Sequence, residues 1–84
     1  MQPIVVYTAR PCGYCSHAKS LLNRLNLTFK EIDLTGDYEA RQELMQKTGQ
    51  RTVPQIFVGD VHVGGFTDLR ALHSKGELLP LVER

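Results

Sequence analysis

Ile4-Val5-Val6-Tyr7 is an unbroken apolar run, largely β-branched, with no polar residue alternating through it. Such a run suits a strand buried on both faces of a sheet, and a sheet of that kind needs cover above and below. The run predicts a central strand and excludes a sheet left open to water on one side. With 84 residues in the chain, two separate cores would each fall to roughly 40 residues, a size at which folds lean on metals or disulfides. One domain over residues 1–84 is therefore expected.

The cover is legible downstream. From Tyr14 to Asn26 the apolar residues Cys15, Ala18, Leu22 and Leu25 recur at steps of three and four, while Lys19, Asn23 and Arg24 lie elsewhere on the wheel. That spacing predicts an amphipathic helix. Thr28 to Leu34 returns to strand character through Phe29 and Ile32, so the first third reads as a parallel, right-handed strand-helix-strand unit. Asp37 is placed to cap a second helix over Tyr38 to Lys47, which Gly49 stops. Gln55-Ile56-Phe57-Val58 and Val61-His62-Val63 flank Gly59-Asp60, a strong hairpin signal. Thr67 or Asp68 then caps a third helix carrying Leu69 and Leu72, Gly76 ends it, and Leu78 to Val82 reads as a short terminal turn. No repeat, linker or low-complexity stretch interrupts the pattern. The order β-α-β-α-β-β-α predicts an α/β architecture, a four-stranded mixed sheet with helices on both faces, and it resembles the thioredoxin fold.

The only cysteines are Cys12 and Cys15, in Cys12-Gly13-Tyr14-Cys15 between the first strand and the first helix. A bond across so short a loop stabilises by only about 2 kcal/mol in the chain-entropy account, against about 3 kcal/mol for a fifteen-residue loop. The pair makes a poor structural staple, and a thiol pair in a reducing compartment is one that cycles or holds metal. At the first turn of a helix, unpaired N–H groups and a partial positive charge favour a thiolate over the thiol, which in free cysteine titrates near about pH 8.5. Cys12 is thus the candidate nucleophile. Cys15, a turn further in, is the candidate resolving thiol. Arg10 is a candidate stabiliser of the thiolate, its alternative being a solvated side chain. Tyr14 reads as a wall of a substrate groove rather than a plain surface aromatic. Pro54 in Thr52-Val53-Pro54 serves at the least as a strand boundary. A cis Val53–Pro54 bond would in addition turn the Val53 backbone outward beside the cysteines, free to pair with an extended peptide-like substrate.

A net charge of +1 gives no reason to expect nucleic acid or a membrane surface as partner. No apolar run approaches the ~20 residues of a membrane span, and Met1-Gln2-Pro3 leads into the first strand without the marks of a signal peptide, so a cytoplasmic location is expected. The histidines His17, His62 and His73 read as surface residues; His17 would point about 200° around the helix from Cys15, which argues against zinc.

Tyr7-Thr8, Cys12-Gly13-Tyr14-Cys15, Gln50-Arg51-Thr52-Val53-Pro54-Gln55-Ile56-Phe57 and Gly64-Gly65-Phe66-Thr67-Asp68-Leu69 together resemble a dithiol glutaredoxin, most of all the short bacterial glutaredoxin 3 kind. The resemblance spans essentially the whole chain. It implies a glutathione-dependent oxidoreductase, acting on protein–glutathione mixed disulfides and protein disulfides, in which the Val53 backbone, next to a cis Pro54, pairs with the cysteine of the tripeptide. It also implies that Thr52 and Gly65 belong to the same site and that Phe66, Thr67 and Asp68 hold the γ-glutamyl end, its α-carboxylate at a helix start and its ammonium at Asp68. For the glycine carboxylate it offers Arg41, with Arg51 as a second candidate. Two positions depart from the pattern. Ala9 stands where relatives usually carry lysine, and Gly13 where they usually carry proline. Glycine there is associated in the wider family with a [2Fe–2S] cluster, so the alternative is a cluster carrier in which two chains and two glutathiones share one cluster through Cys12. The chain is otherwise expected to be a monomer.

Overall fold

In the computed structural model, which describes residues 1–84, the opening apolar run forms β1 (Ile4–Thr8) with a neighbour on each side. It pairs in parallel with β2 (Lys30–Asp33) and antiparallel with β3 (Gln55–Val58), and β3 pairs antiparallel with β4 (Val61–Gly64). The sheet is mixed, in the order β2-β1-β3-β4. Ile4 and Val6 point into the main core with Ile56 and Val58 of β3. That face is covered by Ala18, Leu21 and Leu22 of α1 (Gly13–Arg24) and by Leu69 of α3 (Phe66–Ser74). Tyr7 lies against the smaller cluster of Leu34, Leu44 and Phe57, to which α2 (Tyr38–Thr48) contributes Leu44. Both faces are covered, as an unalternating central strand requires.

Elsewhere the boundaries shift for identifiable reasons. β2 is confined to Lys30–Asp33 instead of the expected Thr28 to Leu34, and Lys30, Glu31 and Asp33 are exposed, as suits a short, charged edge strand. Helix α1 ends at Arg24, before the expected Asn26, which takes a left-handed backbone with φ 57°. Asp37 caps α2 as expected, accepting from the Ala40 N–H at 3.1 Å, and Gly49 closes it with φ 72°. The cap of α3 differs from the expected Thr67 or Asp68: Gly65 is the N-cap, and Asp68 stands three residues inside, reaching back so that its carboxylate accepts from the Gly65 N–H at 3.0 Å. The terminal turn is a short helix, α4 (Leu78–Glu83), whose Leu78 and Val82 close the main core.

The first strand-helix-strand unit is tied together at one side chain. The buried Thr8 hydroxyl donates to the Glu31 carboxylate at 2.8 Å, and Lys19 of α1 donates to the same carboxylate at 3.2 Å. The Thr8 hydrogen bond, with a smaller contribution from Lys19, holds the Glu31 carboxyl below the usual glutamate range. A carboxyl whose pKa is lower folded than unfolded stabilises the fold above its unfolded pKa, and that stability goes as acid protonates it through the folded pKa. Thr8→Val should therefore lower the urea midpoint at neutral pH and shrink the loss of stability on acidification. An acid loss equal to that of the parent would show that Glu31 is not its source.

The start of α1 yields a second expectation. Cys12 has extended backbone angles, φ −160° and ψ 106°, which suit a residue preceding proline. Gly13 opens the helix, where the N–H has no intrahelical partner, and a Cβ there would meet nothing within 4 Å. Gly13→Pro should raise stability by about 0.4–1 kcal/mol by narrowing the unfolded ensemble. An unchanged or lower urea midpoint would contradict it.

Candidate active site

Cys12 is the N-cap of α1, and its sulfur does what a serine or aspartate oxygen does at other helix starts: it accepts a backbone hydrogen bond, from the Cys15 N–H at 3.1 Å. The first turn of α1 carries no acidic side chain to compete for that position. Cys12 and Cys15 are joined as a disulfide, their Cα atoms 5.3 Å apart. The two sulfurs differ in access. Cys15 is only 3% exposed and belongs to the underside of the helix, whereas Cys12 is half-buried at its tip. Amide hydrogens aimed at a sulfur favour its thiolate, so the arrangement makes the accessible sulfur the better nucleophile once the bond is reduced.

The loop before β3 reaches the same place. The Val53 carbonyl oxygen lies 3.6 Å from Cys12 Sγ, and the Val53–Pro54 bond is cis. Thr52, Val53 and Pro54 form one wall of a groove, continued by Gln50. The start of α3 supplies the facing residues Gly65, Phe66, Thr67 and Asp68, and Tyr14 completes the lining. Tyr14, 60% exposed, stacks on Phe66 with ring centres 6.1 Å apart and planes 19° apart. His17, exposed as expected, packs on the same ring at 5.5 Å and so flanks the groove. The signal for that was available: Tyr14 and His17 are three apart on a helix and share a side of it. Asp68 is held in place from beneath by Gly64, whose φ of 117° and contact with the Asp68 carboxylate leave no room for a Cβ.

Ten of the expected positions are thereby brought together: Cys12, Tyr14, Cys15, Thr52, Val53, Pro54, Gly65, Phe66, Thr67 and Asp68. The three expected cations are not among them. Arg10, its side chain 78% exposed, turns its guanidinium to Asp33 at 3.2 Å, and its backbone N–H donates to the Thr35 hydroxyl oxygen at 2.8 Å. Asp33 is itself held below the usual carboxylate range chiefly by the Thr35 hydroxyl and backbone N–H, with Arg10 a lesser cause. Arg41 lies beside Leu34, Asp37 and Tyr38 at the start of α2, and Arg51 is exposed outside the lining. Ala9 is buried, and its neighbour Arg10 faces Asp33. Sequence reasoning missed Gln50, because a glutamine before an arginine in a loop carries no chemical signal until its neighbours are known. Asp68 is the one acidic or basic side chain in the lining.

Comparison with known proteins agrees with this geometry. Residues 4–63 match the family model described as Glutaredoxin. The chain is 50% identical over 78 residues to the glutaredoxin of Pseudomonas aeruginosa, covering 93% of each, and 40% identical over 83 residues to glutaredoxin 3 of Escherichia coli, covering 99% of this chain and 100% of that one. Among solved structures it is similar to the solution structure of glutaredoxin from Brucella melitensis, at 45% identity and a TM-score of 0.88, over 98% of this chain and 89% of that one. It is similar as well to a buckwheat glutaredoxin–glutathione complex, at 39% identity and a TM-score of 0.89, over 98% of this chain and 77% of that one. With a cysteine pair at the head of α1 and a thioredoxin-like sheet behind it, the chain is a thiol–disulfide oxidoreductase and belongs to the glutaredoxin family.

Proposed function

We propose that this domain takes glutathione as its co-substrate and reduces protein–glutathione mixed disulfides and protein disulfides. The observation that carries the reading is the nearness of Cys12 Sγ to the Val53 carbonyl, 3.6 Å, at the edge of a groove whose facing wall is the start of α3. A tripeptide lying there in extended form pairs its cysteine backbone with Val53, which brings its sulfur to Cys12. Its γ-glutamyl carboxylate then meets the free N–H groups of Phe66 and Thr67, and its ammonium meets Asp68. Tyr14 closes the side. The similar buckwheat structure is a glutaredoxin–glutathione complex, which supports the assignment.

The chemistry follows from the two sulfurs. For a mixed disulfide, the Cys12 thiolate attacks the glutathione sulfur; a Cys12–glutathione bond forms, the old bond breaks, and the protein sulfur leaves with the electron pair and takes a proton. A second glutathione thiolate attacks the glutathione sulfur on Cys12, releasing glutathione disulfide and restoring the Cys12 thiolate. For a protein disulfide, Cys12 attacks first and Cys15 displaces the substrate, leaving the Cys12–Cys15 disulfide, which two glutathiones reduce. The substrates are glutathionylated or disulfide-containing proteins, and the domain acts as a monomer. No helix is long and apolar enough to cross a membrane.

The alternative, a [2Fe–2S] cluster shared between two chains, would draw one thiolate from each, because no three His, Cys, Asp or Glu side chains gather to hold a metal ion within one chain. Cys15, within bonding reach of Cys12, is a thiol that exchange uses and a bridging cluster does not. The pair therefore favours exchange.

Two variants separate the roles. With glutathione and its reductase supplied, Cys12→Ser should abolish turnover of both substrates, whereas Cys15→Ser should keep deglutathionylation of a peptide and lose most reduction of a protein disulfide. Turnover of the glutathionylated peptide by Cys12→Ser would show that the nucleophile is elsewhere.

A further inference from the structure

Gln55, the first residue of β3, is wholly buried, and with Thr8 it is one of two buried polar side chains. A buried amide has to place both a donor nitrogen and an acceptor oxygen, so its orientation is set by what surrounds it. Gln55 Nε2 donates to the Thr52 carbonyl oxygen at 2.9 Å and to Gln50 Oε1 at 3.1 Å, with the Thr52 hydroxyl oxygen at 3.3 Å. A backbone carbonyl only accepts, so the Thr52 contact decides which end of the Gln55 amide is the nitrogen. Two consequences follow. Gln55 Oε1 faces His62 Nε2 at 2.7 Å, so that ring nitrogen carries a hydrogen and donates it. The Gln50 atom facing Gln55 is its oxygen, so the Gln50 NH2 group is the outward end. That group has no partner within the chain, and Gln50 lines the groove on the same wall as Thr52 and Val53.

We propose that Gln50 is a glutathione-binding residue whose NH2 group donates to the glycine carboxylate of the tripeptide, and that Gln55, held by His62, is the positioning residue that aims it. The proposal rests on the glutathione reading above. With the tripeptide's cysteine at Val53 and its γ-glutamyl end at the start of α3, the glycine end runs along the wall that leads back through Thr52 to Gln50. A free carboxylate there wants donors, and no cation lines the groove. Gln50 offers two unengaged hydrogens on that wall, and their direction is built in by a buried side chain, so no flexible cation has to be ordered at the moment of binding. His62, packed on the Phe57 ring at 4.9 Å, anchors the far end of the relay.

The test compares glutathione with glutathione carrying a glycine amide, which has the same shape without the charge. Hydrogen bonds to a charged acceptor are about twice as strong as neutral ones, so the parent protein should favour the acid over the amide by about three- to tenfold in KM. Gln50→Ala and Gln55→Leu should each lose that preference, with the change in KM larger than that in kcat. In the acid-over-amide preference the double variant should match Gln50→Ala, because for that carboxylate Gln55 acts through Gln50. Gln50 is exposed, so its variant keeps the test intact if the buried one fails to fold. Retention of the parent's preference by Gln50→Ala, or full additivity in the double variant, would overturn the proposal. A parent protein inactive with any glutathione mixed disulfide would instead overturn the functional reading, and this proposal with it.

Discussion

The contact on which the rest of the site depends is a backbone hydrogen bond to sulfur, from the Cys15 N–H to Cys12 Sγ at 3.1 Å, at the head of α1. Helix starts ordinarily recruit an oxygen to satisfy their unpaired N–H groups. Here the capping atom is also the proposed nucleophile, so the same interaction that begins the helix would favour its ionised form. The remainder of the fold delivers that atom to the surface. β1, clamped between β2 and β3, ends at Thr8, and the short connection to Gly13 places Cys12 at the rim of the sheet while Cys15 turns under the helix.

The groove beside it is built almost wholly from neutral groups. Backbone at Val53, the opening turn of α3, the aromatic faces of Tyr14 and Phe66 and the amide of Gln50 line it, and Asp68 supplies the one formal charge. Such a site selects by hydrogen-bond geometry, and geometry has to be held from behind. Gly64 does so for Asp68 by offering no side chain, and Gln55 does so for Thr52 and Gln50 by filling a buried position with an amide. Of the three cations expected at the site, Arg10 pairs with Asp33, and Arg41 and Arg51 lie outside the lining.

Most of the fold was legible in the residues. Ile4 to Tyr7 announced a two-sided strand, the spacing of Ala18 and Leu22 announced the helix over it, and Gly59-Asp60 announced the hairpin. Failures came where tertiary context decides. The N-cap of α3 was sought at Thr67 or Asp68, since acidic and hydroxyl residues favour caps, but the Asp68 carboxylate serves from three residues inside the helix. For the site, contacts made through backbone and short motifs were recoverable. The long side chains were not: Arg10, Arg41 and Arg51 have reach enough to face several ways, and their direction depends on partners such as Asp33 that sequence separation conceals. Gln50 gains its meaning from Gln55, a buried neighbour five residues on.

The central claim is that the sulfur of Cys12 is kept ionised by the helix start it caps. Alkylation of the reduced Cys15→Ser protein across a pH series, with the same protein in denaturant as reference, measures it most directly. The account predicts that Cys12 in the folded protein reacts as a thiolate well below the midpoint of the denatured thiol, which lies near about pH 8.5. Coincident folded and denatured profiles would mean that the amide hydrogens do nothing for the sulfur.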